Sequence, residues 1–98
     1  MSIKSSSSHK SQEPESGVLY IVGTPIGNLN DLSNRALNIL KNVSLIACED
    51  TRQTRKIMSS YKFSNNLISF NKHNSLSKIP KIIQVLNIGK SIALVSDA

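Results

Sequence analysis

Val18-Leu19-Tyr20-Ile21-Val22-Gly23-Thr24-Pro25-Ile26-Gly27-Asn28-Leu29 is the stretch whose reading decides the fold. Five apolar residues run into a glycine-bearing turn, and Asn30-Asp31-Leu32-Ser33 then opens a helix-like segment. Strand, tight turn and helix in that order are how an α/β domain presents a ligand site at the carboxyl edge of its sheet. Gly23 and Gly27 carry no Cβ and so allow backbone freedom and close approach. Pro25 fixes its own φ and biases Thr24 toward an extended backbone, which makes the turn stiff. The spacing matches neither the dinucleotide fingerprint nor the phosphate loop. Taken alone, it is equally the spacing of an ordinary strand-to-helix connection.

Working outward, residues 17–22 form a first strand whose unbroken apolar run suits burial on both faces, as in a parallel sheet. Asp31 or Ser33 caps a helix running to about Lys41, with Leu32, Ala36, Leu37, Ile39 and Leu40 on its apolar face. Residues 43–48 form a second strand, and Asp50 or Thr51 caps a second helix from Arg52 to about Tyr61. Residues 67–70 make a short third strand, and a third helix spans about 77–87. Its start is placed near Ser77 so that Pro80 falls in the first turn, where a missing N–H is harmless. Gly89 is the expected C-cap, and residues 91–95 form the fourth strand. This alternation predicts a parallel, right-handed α/β sheet.

Residues 1–16 are serine-rich and hold little to bury, so they are expected to be a disordered tail ahead of an α/β domain at 17–98. Ninety-eight residues are few for a sheet covered on both faces, and the fourth strand runs straight into Ser96-Asp97-Ala98. The expectation is therefore an amino-terminal part of a longer protein.

The formal charge is +6, from 12 basic and 6 acidic residues, which points toward a polyanionic partner or simply toward solubility. Aromatic content of 4% with no Trp argues against a base-stacking platform. The lone Cys48 lies in an apolar run and reads as a packed core thiol in a reducing compartment. Cys48, His9 and His73 show no metal-ligand spacing, so no metal is expected. No apolar run approaches a membrane span and no signal-peptide core is present, which makes a cytoplasmic protein the default expectation.

Each predicted strand ends in polar residues: Thr24, Glu49-Asp50-Thr51, residues 71–74, and Ser96-Asp97. In a parallel sheet all of these share one edge, where ligands of open α/β sheets bind. Helix capping accounts for part of the same pattern. Glu49-Asp50 is either a source of a general base or hydroxyl acceptor, or an acidic pair stabilised by a helix N-terminus. Arg52, Arg55 and Lys56 lie on one stripe of a helix, a candidate grip for phosphates or a solvated face. His73 is a lone loop histidine, a candidate base or ligand contact. Gly89-Lys90-Ser91 is no phosphate loop, because Gln84 stands where the first glycine is required and a helix leads into a strand.

Residues 19–31, 45–56 and 93–98 together resemble the amino-terminal signature of the small-subunit ribosomal RNA methyltransferase I family. That family is a bacterial branch of the tetrapyrrole methylase superfamily. The resemblance covers everything except the serine-rich tail. It implies two α/β domains with S-adenosyl-L-methionine in the cleft between them, and usually a homodimer. It also implies methylation of a cytidine ribose 2′-hydroxyl in the 16S RNA of the small ribosomal subunit. On the same basis, Gly23, Thr24, Pro25, Gly27 and Asn28 would line the cleft and Ser96 and Asp97 would begin a cofactor loop. Glu49 and Asp50 would face the reacting hydroxyl, and Arg52, Arg55 and Lys56 would hold RNA. The sequence departs from the family in Phe70-Asn71-Lys72-His73-Asn74, where an aromatic and an acid are commoner. Two other readings stay open: a small-molecule, tetrapyrrole-type methylase, disfavoured by Asn28 where an acid is usual, and a non-catalytic basic module that docks on RNA.

Overall fold

The computed structural model describes residues 2–5, 13–24 and 31–97. Five strands alternate with three helices: β1 (Ser2–Ser5), β2 (Val18–Thr24), α1 (Asn34–Asn42), β3 (Leu45–Cys48), α2 (Thr51–Ser60), β4 (Leu67–Ser69), α3 (Ser75–Asn87) and β5 (Ile92–Asp97). They form one sheet in the order β1-β2-β5-β3-β4, with every neighbouring pair parallel. β5 is thus inserted between β2 and β3, the two strands that begin the alternation.

The period-two alternation of each strand sorts its residues between two apolar layers. Tyr20, Val22, Ile46, Cys48, Ala93 and Val95 pack with Ala36, Ile39 and Leu40 of α1 and Ile57 of α2 on one face. Leu45, Ala47 and Ile92 pack with Ile82 and Leu86 of α3 on the other. Two helices on one face and one on the opposite face follow from right-handed crossovers. The connections from β2 to β3 and from β3 to β4 run one way across the sheet, and the return from β4 to β5 runs back.

The helix ends are set locally. Ser33 is the N-cap of α1, its Oγ accepting the Ala36 N–H at 3.0 Å. At the other end of α1, Asn65 Nδ2 donates to the carbonyls of Leu40 and Val43, each at 2.9 Å, joining the helix to the approach to β4. Gly89, at φ +88°, takes the left-handed position after α3, and the Lys90 N–H closes the turn on the Val85 carbonyl at 3.2 Å. Lys62 takes the same position after α2 at φ 58°, with the Phe63 N–H donating to the Met58 carbonyl at 2.9 Å.

Two expectations are corrected. Residues 1–16 are not uniformly a disordered tail: Ser2–Ser5 pair with Val18 to Ile21 as a parallel edge strand. Strand addition of this kind uses backbone groups alone and needs no apolar run, which is why composition did not signal it. Glu13 also forms an ion pair with Arg35, and the Glu15 N–H donates to the Tyr20 hydroxyl at 2.7 Å. Residues 6–12 lie outside the described residues.

The second correction concerns Pro80, which sits inside α3 in its second turn rather than its first. The helix starts earlier because the turn at 71–74 runs directly into it, Ser75 N–H donating to Asn71 O at 2.8 Å and Lys78 N–H to Asn74 O at 3.1 Å. The ring of Pro80 then frees the Leu76 carbonyl. Leu76 is 87% exposed, so water can take that bond.

Candidate functional site

The carboxyl ends of four strands lie side by side and build one rim. Gly23 pairs with Ser96 and Thr24 with Asp97 at the β2–β5 junction. Cys48, the last residue of β3, pairs with Val95 of β5 on one side and Ser69 of β4 on the other. Glu49 therefore leaves its strand beside Ser96, about 5 Å away by strand spacing. The Phe70 N–H donates to the Cys48 carbonyl at 2.8 Å, which brings residues 71–74 alongside Glu49 and Asp50. The rim thus collects Gly23, Thr24, Ser96, Asp97, Glu49 and Asp50. Pro25, Gly27 and Asn28 lie outside the described residues.

At the β2–β5 junction the backbone is both pinned and bare. Thr24 is buried, and its Oγ1 donates to the Ser96 carbonyl at 3.4 Å. Gly23 is exposed, and a Cβ built there would meet nothing within 4 Å among the described residues. Among the described residues neither a left-handed φ nor a neighbouring atom calls for glycine, so its missing side chain leaves room against the strand end. Room of that kind at a strand end allows a ligand to approach the backbone closely.

The two acids have different surroundings. Asp50 is the N-cap of α2: its Oδ1 accepts the Arg52 N–H at 2.9 Å and Arg52 Nε at 3.3 Å. Arg52's side-chain and backbone hydrogen bonds hold the Asp50 carboxyl below its ordinary value. A carboxylate so stabilised is a weaker proton acceptor. Glu49 is exposed and accepts no hydrogen bond among the described residues, which leaves its oxygens open to a ligand.

Arg52, Arg55 and Lys56 are all exposed on α2. The helix is anchored from behind by Thr54, Ile57 and Met58, so the three cations point to solvent. Arg55 Nη1 reaches Thr51 Oγ1 at 3.5 Å. Cys48 is buried and its thiol donates to the Ile68 carbonyl at 3.8 Å, a packed core group.

The loop after β4 is more ordered than its composition suggested. Asn74 Nδ2 donates to Ser69 Oγ at 2.6 Å, while Asn74 Oδ1 accepts the Asn71 N–H at 2.8 Å. Asn71 Oδ1 in turn accepts the N–H groups of His73 at 2.8 Å and Asn74 at 3.1 Å. This interlock was missed from the sequence, although two asparagines three apart after a strand were a usable signal for Asx turns. It leaves Lys72 and His73 exposed on the rim.

The sequence profile of the Tetrapyrrole (Corrin/Porphyrin) Methylases matches residues 18–96. Among curated proteins, "Ribosomal RNA small subunit methyltransferase I" of Bacillus subtilis (strain 168) is 54% identical over 82 residues, covering 84% of this chain and 28% of the relative. The protein of the same name from Thermotoga maritima is 50% identical over 82 residues, covering 84% of this chain and 37% of its own. That of Buchnera aphidicola is 50% identical over 82 residues, covering 84% and 29%. The chain spans about a third of the length of these relatives.

Proposed function

The chain belongs to the tetrapyrrole methylase family, and from that premise we propose that it supplies part of the active site of an S-adenosyl-L-methionine-dependent RNA methyltransferase. The reaction in this reading is methylation of a cytidine ribose 2′-hydroxyl in 16S RNA, with the small ribosomal subunit as substrate. The enzyme of relative length would be a cytoplasmic homodimer. The observation that carries the reading is the match of residues 18–96 to the family, combined with open space at Gly23 beside Ser96.

When bound, S-adenosylmethionine supplies an electrophilic methyl group on a sulfonium. The strand ends of β2 and β5 hold it: Gly23 gives the approach and Thr24, pinned to Ser96, fixes the local backbone. Pro25, Gly27, Asn28, Ser96 and Asp97 complete that contact in this reading. Displacement at a methyl carbon needs the two reacting groups aligned and gains from a base at the hydroxyl proton. Glu49 takes that proton on its carboxylate. Asp50 holds the start of α2 and so fixes Glu49 beside it. Arg52, Arg55 and Lys56 bind RNA phosphates, which sets position without reading sequence.

A chimera tests the proposal. Residues 18–96 replace the matching segment of the Bacillus subtilis relative, and methyl transfer to unmethylated small subunits is followed by mass spectrometry of nucleosides. The expected product is 2′-O-methylcytidine. A folded chimera that binds S-adenosylmethionine but methylates only a base, or only a porphyrinoid, overturns the assignment of substrate. One that binds RNA and no S-adenosylmethionine moves the RNA-docking reading forward.

A further inference from the structure

From Thr51 through Ser96 the sequence contains no Asp or Glu, while its basic residues are Arg52, Arg55, Lys56, Lys62, Lys72, Lys78, Lys81 and Lys90. All six acids of the chain lie outside this block. The block folds as α2, β4, α3 and most of β5, so its charge wraps the β4 edge of the sheet on both faces. On the α2 face the cations belong to the rim described above. On the α3 face they border a separate feature at the opposite end of the strands.

That feature is a hollow of about 330 Å3 where β3 and β4 begin. Lys81 and Lys90 line it, together with Ser44, Asn66 and an apolar floor that includes Leu67 and Val85. Neither ammonium group has a carboxylate or hydrogen-bond partner among the described residues, and neither the Ser44 hydroxyl nor the Asn66 side-chain carboxamide has a hydrogen-bond partner there. A volume near 300 Å3 lies at the small end of ligand sites. Two uncompensated lysines beside two neutral donors attract an anion that accepts several hydrogen bonds, and lysine suits phosphate as a mobile point charge. The apolar floor makes a bare inorganic ion a poor fit, since it offers surface to a sugar or base edge as well.

We propose that this hollow is a second RNA subsite, holding one phosphate and its adjoining sugar of a strand that also meets the α2 cations. The inference rests on the reading that the chain acts on RNA, and it adds a grip away from the cofactor edge. β3 is four residues long, so hollow and rim are on the order of 10 Å apart along the sheet. A few nucleotides passing around the short edge strand β4 cover that distance. Within the block no carboxylate stands along the way, and Glu49 and Asp50 lie only at its rim end.

The test uses the 98-residue chain labelled with 15N, titrated with a short unstructured RNA, with inorganic phosphate and with poly-glutamate. RNA is expected to shift the amide signals of Ser44, Asn66, Lys81 and Lys90 at concentrations where poly-glutamate does not. The double variant Lys81→Ala with Lys90→Ala is expected to weaken RNA binding about three- to tenfold. It should also flatten the salt dependence, by about 0.7 for each phosphate no longer neutralised. Lys81→Arg with Lys90→Arg restores the slope. Shifts with phosphate but not RNA, equal binding of poly-glutamate, or an unchanged slope in the double alanine variant each overturn the proposal. The readout is binding and not methyl transfer, so a failed cofactor assignment leaves this result standing and a failed hollow leaves the methyltransferase reading intact.

Discussion

Asp50 and Arg52 are joined twice, by the Arg52 backbone N–H at 2.9 Å to Asp50 Oδ1 and by the Arg52 guanidinium to the same carboxylate at 3.3 Å. One acid therefore caps α2 and aims the first cation of its basic stripe. Its carboxyl is held below the ordinary value of 3.8 by Arg52's side-chain and backbone hydrogen bonds. Because the folded-state value is the lower one, ionised Asp50 favours the folded state above the unfolded carboxylate range. That contribution is lost as pH falls below about 3.8 through the folded value. Asp50→Asn keeps a cap acceptor and loses the charge. The urea midpoints of the two proteins are expected to differ at pH 7 and to converge below the unfolded value. A gap that stays constant as the pH is taken well below that value contradicts the assignment.

Gly23 separates a structural from a functional use of glycine. A Cβ there meets nothing within 4 Å among the described residues, and the φ lies outside the left-handed range. Gly23→Val is expected to change the stability of the chain by no more than about 0.5 kcal/mol, the usual effect of a surface change. In the chimera with the Bacillus subtilis relative, the same substitution is expected to weaken S-adenosylmethionine binding by roughly tenfold or more, measured by calorimetry, which corresponds to about 1.4 kcal/mol. Equal binding by both proteins removes Gly23 from the cofactor contact.

The interlock of Asn71 and Asn74 gives the rim a rigid loop. Asn74→Ala removes the bond to Ser69 Oγ at 2.6 Å and the acceptor for the Asn71 N–H at 2.8 Å. The expected cost is about 1–2 kcal/mol, since net hydrogen bonds are each worth about 1 kcal/mol and an orphaned donor adds to the loss. Amide exchange at residues 71–74 should quicken with it. A stability loss without faster exchange places the effect elsewhere.

Those elements divide by how far their causes are local. β2, β3 and β5 were legible because apolar runs between turn signals leave few alternatives. The caps at Ser33 and Asp50 were legible because a side chain two or three residues away decides them. The convergence of strand ends followed from parallel topology, which fixes which edge every carboxyl end shares. Ser2–Ser5 was illegible because an edge strand is recruited by the free backbone of β2, a partner distant in sequence. The hollow beside Lys81 and Lys90 was illegible for a similar reason, since it joins the starts of β3 and β4 to one side of α3.

Pro80 offers the sharpest check of local against tertiary preference. Placed in the second turn of α3, it removes one backbone hydrogen bond and presses on the Leu76 carbonyl. Alanine at an interior helix site is favoured over proline by up to about 3 kcal/mol. Proline also restricts the unfolded chain, which offsets part of that difference by about 0.4–1 kcal/mol. Leu76 is 87% exposed, so water already relieves its carbonyl and the remaining gain is smaller than in a buried helix. Pro80→Ala is therefore expected to stabilise the chain by about 1 kcal/mol or more in urea unfolding, with an unchanged slope. A destabilised variant would contradict this balance and make the packing of Ile82 and Leu86 against the sheet dependent on Pro80.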